Sequence, residues 1–197
     1  MSATRPALAL LVLLLAACSR GPSAAPGSSS AAADPSRPLP SPVPDVVARV
    51  NGQPIRIRQI LPMAKAELDR VSVADRDRKK PEVLRHALQR YVDRELLLQE
   101  ALARGVGADS REVDWAYDQM RREHADEAAW EEFLAGQGMD PQSFRAELRS
   151  QHTVAALLDQ EVREASSGGA TGPRAREEIE AALLARLRAK ARIELLL

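Results

Sequence analysis

The sequence predicts a mainly α-helical fold, a set of helices closed by a small two-stranded clasp that joins the N- and C-terminal ends. Three observations carry this. Apolar residues recur three and four apart over most of the chain, the period of helices buried on one side. Ala, Leu, Arg and Glu are abundant while aromatic residues make up only 3%, a helix-forming composition. Strand-like alternation occurs in just two places, "VVARV" at Val46–Val50 and "ARIELLL" at Ala191–Leu197.

The elements follow in order. After Val46–Val50, Asn51–Gly52 is a strong turn signal, because both residues tolerate positive φ. Pro54 lacks a ladder donor, so the arm beyond the turn makes a poor central strand. A first helix is expected over about Arg58–Arg70 through Ile60, Leu61, Ala64 and Leu68, with Pro62 tolerated in its first turn. "VSVADRDRKK" reads as a polar connection, and Pro81 opens a long helix with an apolar stripe through Leu84, Leu88, Tyr91, Leu98 and Leu102. Gly105 stops it. "DSRE" at Asp109–Glu112 has capping-box spacing and opens a third helix. A fourth spans about Glu127–Ala135, a fifth runs from Asp140–Pro141 to about Ala165, and a sixth covers about Arg174–Lys190. Val46–Val50 needs an apolar alternating partner, and "ARIELLL" offers one. The alternative is that this last segment merely extends the sixth helix.

Charge narrows function. The chain carries 28 basic and 28 acidic residues in 197, so no bulk field recruits nucleic acid or acidic substrates. His86, His124 and His152 fall on different predicted helices without metal-ligand spacing. His124 stands near Asp126 and Glu127, which read as surface acids. No Gly-rich phosphate loop occurs, since "GVG" and "GQG" sit at helix ends. The expectation is therefore no catalytic residue, no metal and no cofactor.

The N-terminal residues point to export. Arg5 precedes the apolar run "ALALLVLLLAA", which is short for a membrane span, and "LAAC" ends at Cys18, the one cysteine in the chain. This resembles a bacterial lipobox, with residues 1–17 as signal peptide and Cys18 as the lipidated N-terminus. An ordinary signal peptide with a chance cysteine, or an uncleaved anchor, are the alternatives. Two or three acyl chains would anchor firmly. Under the sorting rule of enteric bacteria, Ser19 implies the outer membrane, facing the periplasm. Residues 18–45 hold seven prolines and seven serines between Ser19 and Asp45, and read as a tether. A ligand for a proline-binding domain is the sharper alternative.

Taken together, "VVARVNGQPIRIRQIL", "LQRYVDRELLLQEALARGVGADSREVD" and "FLAGQGMDPQSFRAELRSQ" resemble the N-terminal domain of SurA-type periplasmic chaperones. That domain's relatives include trigger-factor-like foldases that carry parvulin-type prolyl isomerase modules. The shared features are a V-N-G-x-x-I start, a long helix ending near E-A-x-x-x-G, and a G-x-x-x-x-x-F-R turn between helices. "LRAKARIELLL" resembles the closing helix and strand of those chaperones. The resemblance spans about residues 46–165 and 183–197, and implies that residues 174–197 pack back on that domain. In the family, parvulin domains commonly occupy the interval between these parts. Here the interval is "SSGGATGP", residues 166–173, which is too short for a catalytic domain.

The resemblance implies an ATP-independent, non-enzymatic chaperone that binds unfolded or outer-membrane protein segments. An envelope scaffold binding one folded partner is the alternative, and a prolyl isomerase a weaker one. Met63, Trp115, Tyr117, Met120, Trp130 and Phe133 are the candidate client-binding residues, although the same aromatic positions equally describe a core. With the whole chain neutral, salt should change binding little.

Overall fold

In the computed structural model, which describes residues 38–167 and 173–197, the first element is strand β1, Val46–Val50. Asn51 and Gly52 turn it back at φ 52° and 87°. Strand β2 (Gln53–Arg56) pairs antiparallel with β1, and β3 (Ile193–Leu195) pairs antiparallel on its other side. Ala48 lies opposite Leu195 and Val50 opposite Ile193. The expected pairing of the two ends is thus present, but the sheet has three strands in the order β2-β1-β3. Pro54 sits on an edge strand, where its missing N–H costs least.

The helices are α1 (Ile57–Leu68), α2 (Arg76–Ala103), α3 (Ser110–Arg122), α4 (Glu127–Gly136), α5 (Pro141–Ser167) and α6 (Pro173–Lys190). Two expectations about proline need correcting. Pro62 lies not in the first turn of α1 but at its sixth residue, inside the helix. The long helix does not open at Pro81 but at Arg76, after a single 3-10 turn at Val73–Asp75. Pro81 is therefore its sixth residue and removes one internal N–H donor while the helix continues. The buried face of α2 holds the expected Leu84 and Leu88 and continues through Val92, Leu96, Leu97 and Ala101, but leaves Leu102 63% exposed.

Caps mark the other boundaries. Gly105 ends α2 at φ 69°. Asp109 accepts from the Arg111 N–H at 2.8 Å to start α3, and Asp126 accepts from the Ala129 N–H at 2.9 Å to start α4. These carboxylates answer N–H groups that the first helical turn leaves without partners.

Three clusters fill the interior. The first gathers β1, Ile55, α1 and the first half of α2, closed by Leu197. Leu39, within the segment read as tether, packs against it. The second joins α3, α4 and the start of α5 around Trp130. The third links Leu97 and Ala101 of α2 to Leu157 and Leu158 of α5 and Leu183 of α6. Residues 1–17, expected as a signal peptide, and Cys18 lie outside the described residues, as does most of the segment expected as a tether; so do residues 168–172 of the expected linker. No described helix is long and apolar enough to cross a membrane.

Candidate functional site: an apolar groove between two cores

Helix α1 lies antiparallel to α2, with Gln59 donating to the Tyr91 hydroxyl at 2.9 Å near one end and Glu67 meeting His86 at 3.0 Å near the other. Its inner face buries Ile60 and Ala64. Its outer face turns away from the sheet, leaving Leu61 46% exposed and Pro62 and Met63 half-buried. Opposite stands the turn between α4 and α5, which Gly138 makes possible at φ 66°. The Met139 N–H returns to the Leu134 carbonyl at 3.0 Å, so this turn is held to the second core.

Between these walls runs a groove of about 1310 Å³. Leu61, Pro62, Met63, Leu68, Leu84 and Met139 supply its apolar lining. Met63 packs against the first core and Met139 against the second, so each wall contributes one methionine. Methionine adapts to irregular apolar surfaces because it is unbranched and polarisable.

The groove floor is tied across by an ion pair between Arg94 of α2 and Glu147 of α5, both largely buried. Gln151 also donates to Glu147, at 2.9 Å. Burial alone would raise the Glu147 pKa, but the Arg94 and Gln151 hydrogen bonds and the Arg94 charge outweigh it and hold the carboxyl below its usual range. Burial pushes the Tyr91 hydroxyl up, despite the nearby Arg94 charge. The Arg94 guanidinium lies 5.5 Å from the Tyr91 ring centre. These side chains form a fixed base rather than a reactive set.

The structure distributes the six candidate residues unevenly. Met63 lines the groove. Tyr117 and Trp130 belong to the second core, at 7% and 0% exposure. Their rings meet edge-on at 5.4 Å, the Trp130 indole N–H reaches the Tyr117 hydroxyl at 3.3 Å, and Phe133 stacks on Trp130 at 5.4 Å. Interlocked this way, Tyr117 and Trp130 have no open face to offer. Met120 and Phe133 are half-buried against the same cluster. Trp115 stands apart, 66% exposed on α3. Leu61, Pro62, Leu68 and Met139 were missed by the sequence reading. The run Leu61–Pro62–Met63, apolar beside a face that Ile60 and Ala64 already supply, was the signal available.

A smaller hollow of about 340 Å³ lies at the α3–α4 turn, lined by Asp118, Arg121, Arg122, His124, Asp126 and Glu127. Several of its polar groups are engaged internally. Arg121 pairs with Glu127, Asp126 caps α4, and the His124 ring lies 4.7 Å from Phe133. No group of His, Cys, Asp and Glu among the described residues is arranged to hold a metal.

The profile of the SurA-like N-terminal domain matches residues 7–158. The chain belongs to the SurA-like N-terminal domain family. This is a chaperone-type family, and no parvulin domain match accompanies it. No curated protein matches the chain.

Proposed function

We propose that this SurA-like protein is an ATP-independent chaperone of the bacterial envelope that holds extended apolar segments of unfolded or outer-membrane proteins in the groove between α1 and the α4–α5 turn. The groove carries this reading: about 1310 Å³, open to solvent and walled by two methionines from separate cores. A stable monomer without a client has little reason to leave such a surface uncovered. Affinity comes from apolar burial, at roughly 25 cal/mol per Å² removed from water. Release follows when the client buries the same residues in its own fold. Lipidation at Cys18 holds the protein at the periplasmic face of the membrane, with the outer membrane implied by Ser19. The protein has no isomerase activity.

Suppression of aggregation of a chemically denatured client at equimolar protein tests this directly. The unmodified chain slows aggregation, and Met63→Asp, which places a charge on the apolar wall of the groove, removes most of the effect. Equal protection by both chains would sink the groove as the client site. Turnover in a proline-peptide isomerisation assay would overturn the non-catalytic reading. Membrane association that survives Cys18→Ser would remove the lipid anchor.

A second reading, a scaffold for one folded partner, draws on Trp115. A tryptophan exposed to this degree on a rigid helix is the type of residue that anchors protein interfaces. Such a scaffold ignores unfolded peptides, which the aggregation experiment already distinguishes.

A further inference from the structure

The neutrality of the chain as a whole conceals an uneven distribution at the groove. Five basic side chains line it, Arg58, Lys65, Arg76, Lys80 and Arg94, against three acids, Asp69, Asp140 and Glu147. The acids are already engaged. Glu147 is held by Arg94 and Gln151. Asp140 accepts from the Ser143 N–H at 2.7 Å as the cap of α5. Asp69 takes the Lys65 ammonium at 3.2 Å and meets Arg76 only at 3.8 Å, beyond hydrogen-bond distance. The Arg76 Nε is buried without a hydrogen-bond partner. Among the described residues, Arg58 and Lys80 make no ion pair.

Their placement matters as much as their number. Arg58 stands at the end of the groove where Gln59 meets Tyr91, and Arg76 at the other, beside Asp69 just past the end of α1, with Lys80 one helical turn on. Helix α1 has 12 residues, so these ends are roughly 18 Å apart. The apolar lining lies between them. An extended chain covers that distance in about five or six residues at roughly 3.3 Å each.

We propose that the preferred occupant of the groove is an extended apolar segment of about five or six residues, bracketed on both sides by acidic residues. This rests on the groove's being the client site. The apolar stretch lies over Met63 and Met139, while the flanking carboxylates reach Arg58 at one end and Arg76 with Lys80 at the other. Each carboxylate replaces water around an under-partnered cation without displacing an existing ion pair. A lysine-flanked segment with the same apolar centre meets repulsion at both ends.

Fluorescence anisotropy on the full soluble chain, with two labelled peptides, provides the test. Both peptides share one apolar hexamer; one carries two Asp at each end and the other two Lys. The Asp-flanked peptide is expected to bind about fivefold to tenfold tighter at low ionic strength, the sum of a few exposed pairs. The gap should shrink below about twofold near 0.5 M salt, because screening then acts over only a few Å. Arg58→Gln with Lys80→Gln should reduce the preference to about twofold or less, the remainder owed to Arg76, while leaving the Lys-flanked peptide no weaker. Both positions are exposed, and the salt series on the unmodified chain gives the answer independently of any variant. Equal binding of the two peptides overturns the acidic bracket and leaves the client groove standing. Binding of neither removes both. Phosphatidylglycerol vesicles that bind with the same dependence on Arg58 and Lys80 would assign these charges to a lipid surface and overturn the proposal.

Discussion

Asn51 reaches Arg192 across a separation of 141 residues, whereas Tyr117, Trp130 and Phe144 find one another within a single stretch of chain. The first core is aliphatic and is assembled from both ends of the sequence. The second is aromatic and local, its rings fixed by edge-on and stacked contacts between α3, α4 and the start of α5. Few residues bridge the two, chiefly the Arg94–Glu147 pair and the packing of α2 on α5. The difference explains where the groove lies. Two blocks that satisfy their own interiors leave a seam between them, and the seam is lined by what each block did not bury.

The comparison can be broken most forcefully at Trp130. Trp130→Ala empties a fully buried site and should cost about 4 kcal/mol. Amide hydrogen exchange should then show protection lost in α3 and α4 while Val47–Val50 stay protected. Simultaneous loss in both regions would mean one cooperative unit rather than two.

A smaller effect is expected at the closing turn of the first core. The Asn51 side chain accepts from the Arg192 N–H at 2.9 Å and donates to Gln99 at 2.8 Å, while its own backbone sits at φ 52°. Asn51→Ala loses both side-chain bonds and adds left-handed strain, together about 2 kcal/mol. Asn51→Gly should lose about half of that, since glycine accepts the conformation. Equal losses for the two variants in denaturant titrations would show that the turn conformation contributes nothing.

The seam itself gives the smallest effect, and it depends on pH. Because Glu147 titrates lower in the folded chain than its ordinary 4.5, the stability it adds is present above that value. It disappears as pH falls through the depressed folded value. Glu147→Gln should therefore flatten the acid limb of the stability curve below about pH 4.5. Parallel curves for the two chains would dissociate the bridge from acid sensitivity.

The sequence and the structure agree best where one periodicity decides. The pairing of Val46–Val50 with the last strand follows from two short alternating runs in a helical chain. Pro54 correctly spoke against a central strand, yet an edge strand remained open to it, and the sheet takes that option. Pro81 misled about α2 because proline favours a first turn without being confined to it. The groove was hardest to read. Aromatic residues at helical spacing look alike whether they fill a core or line a cleft, and Trp130 and Tyr117 fill a core. The groove's true walls, α1 and the α4–α5 turn, are some seventy residues apart and carry no shared pattern.

The central position of β1 sets an order of events. A chain emerging from its N-terminus presents Val46–Val50 early, and β2 can cover one edge at once through the tight turn. The other edge must wait until Ile193–Leu195 exists, and Leu197 with it. Helices α3, α4 and the start of α5, whose contacts are local, can form well before that. The aromatic block is therefore the first to be finished and the aliphatic one the last. Until that last strand arrives, β1 carries an unpaired edge, the same kind of surface that in other proteins invites misassociation.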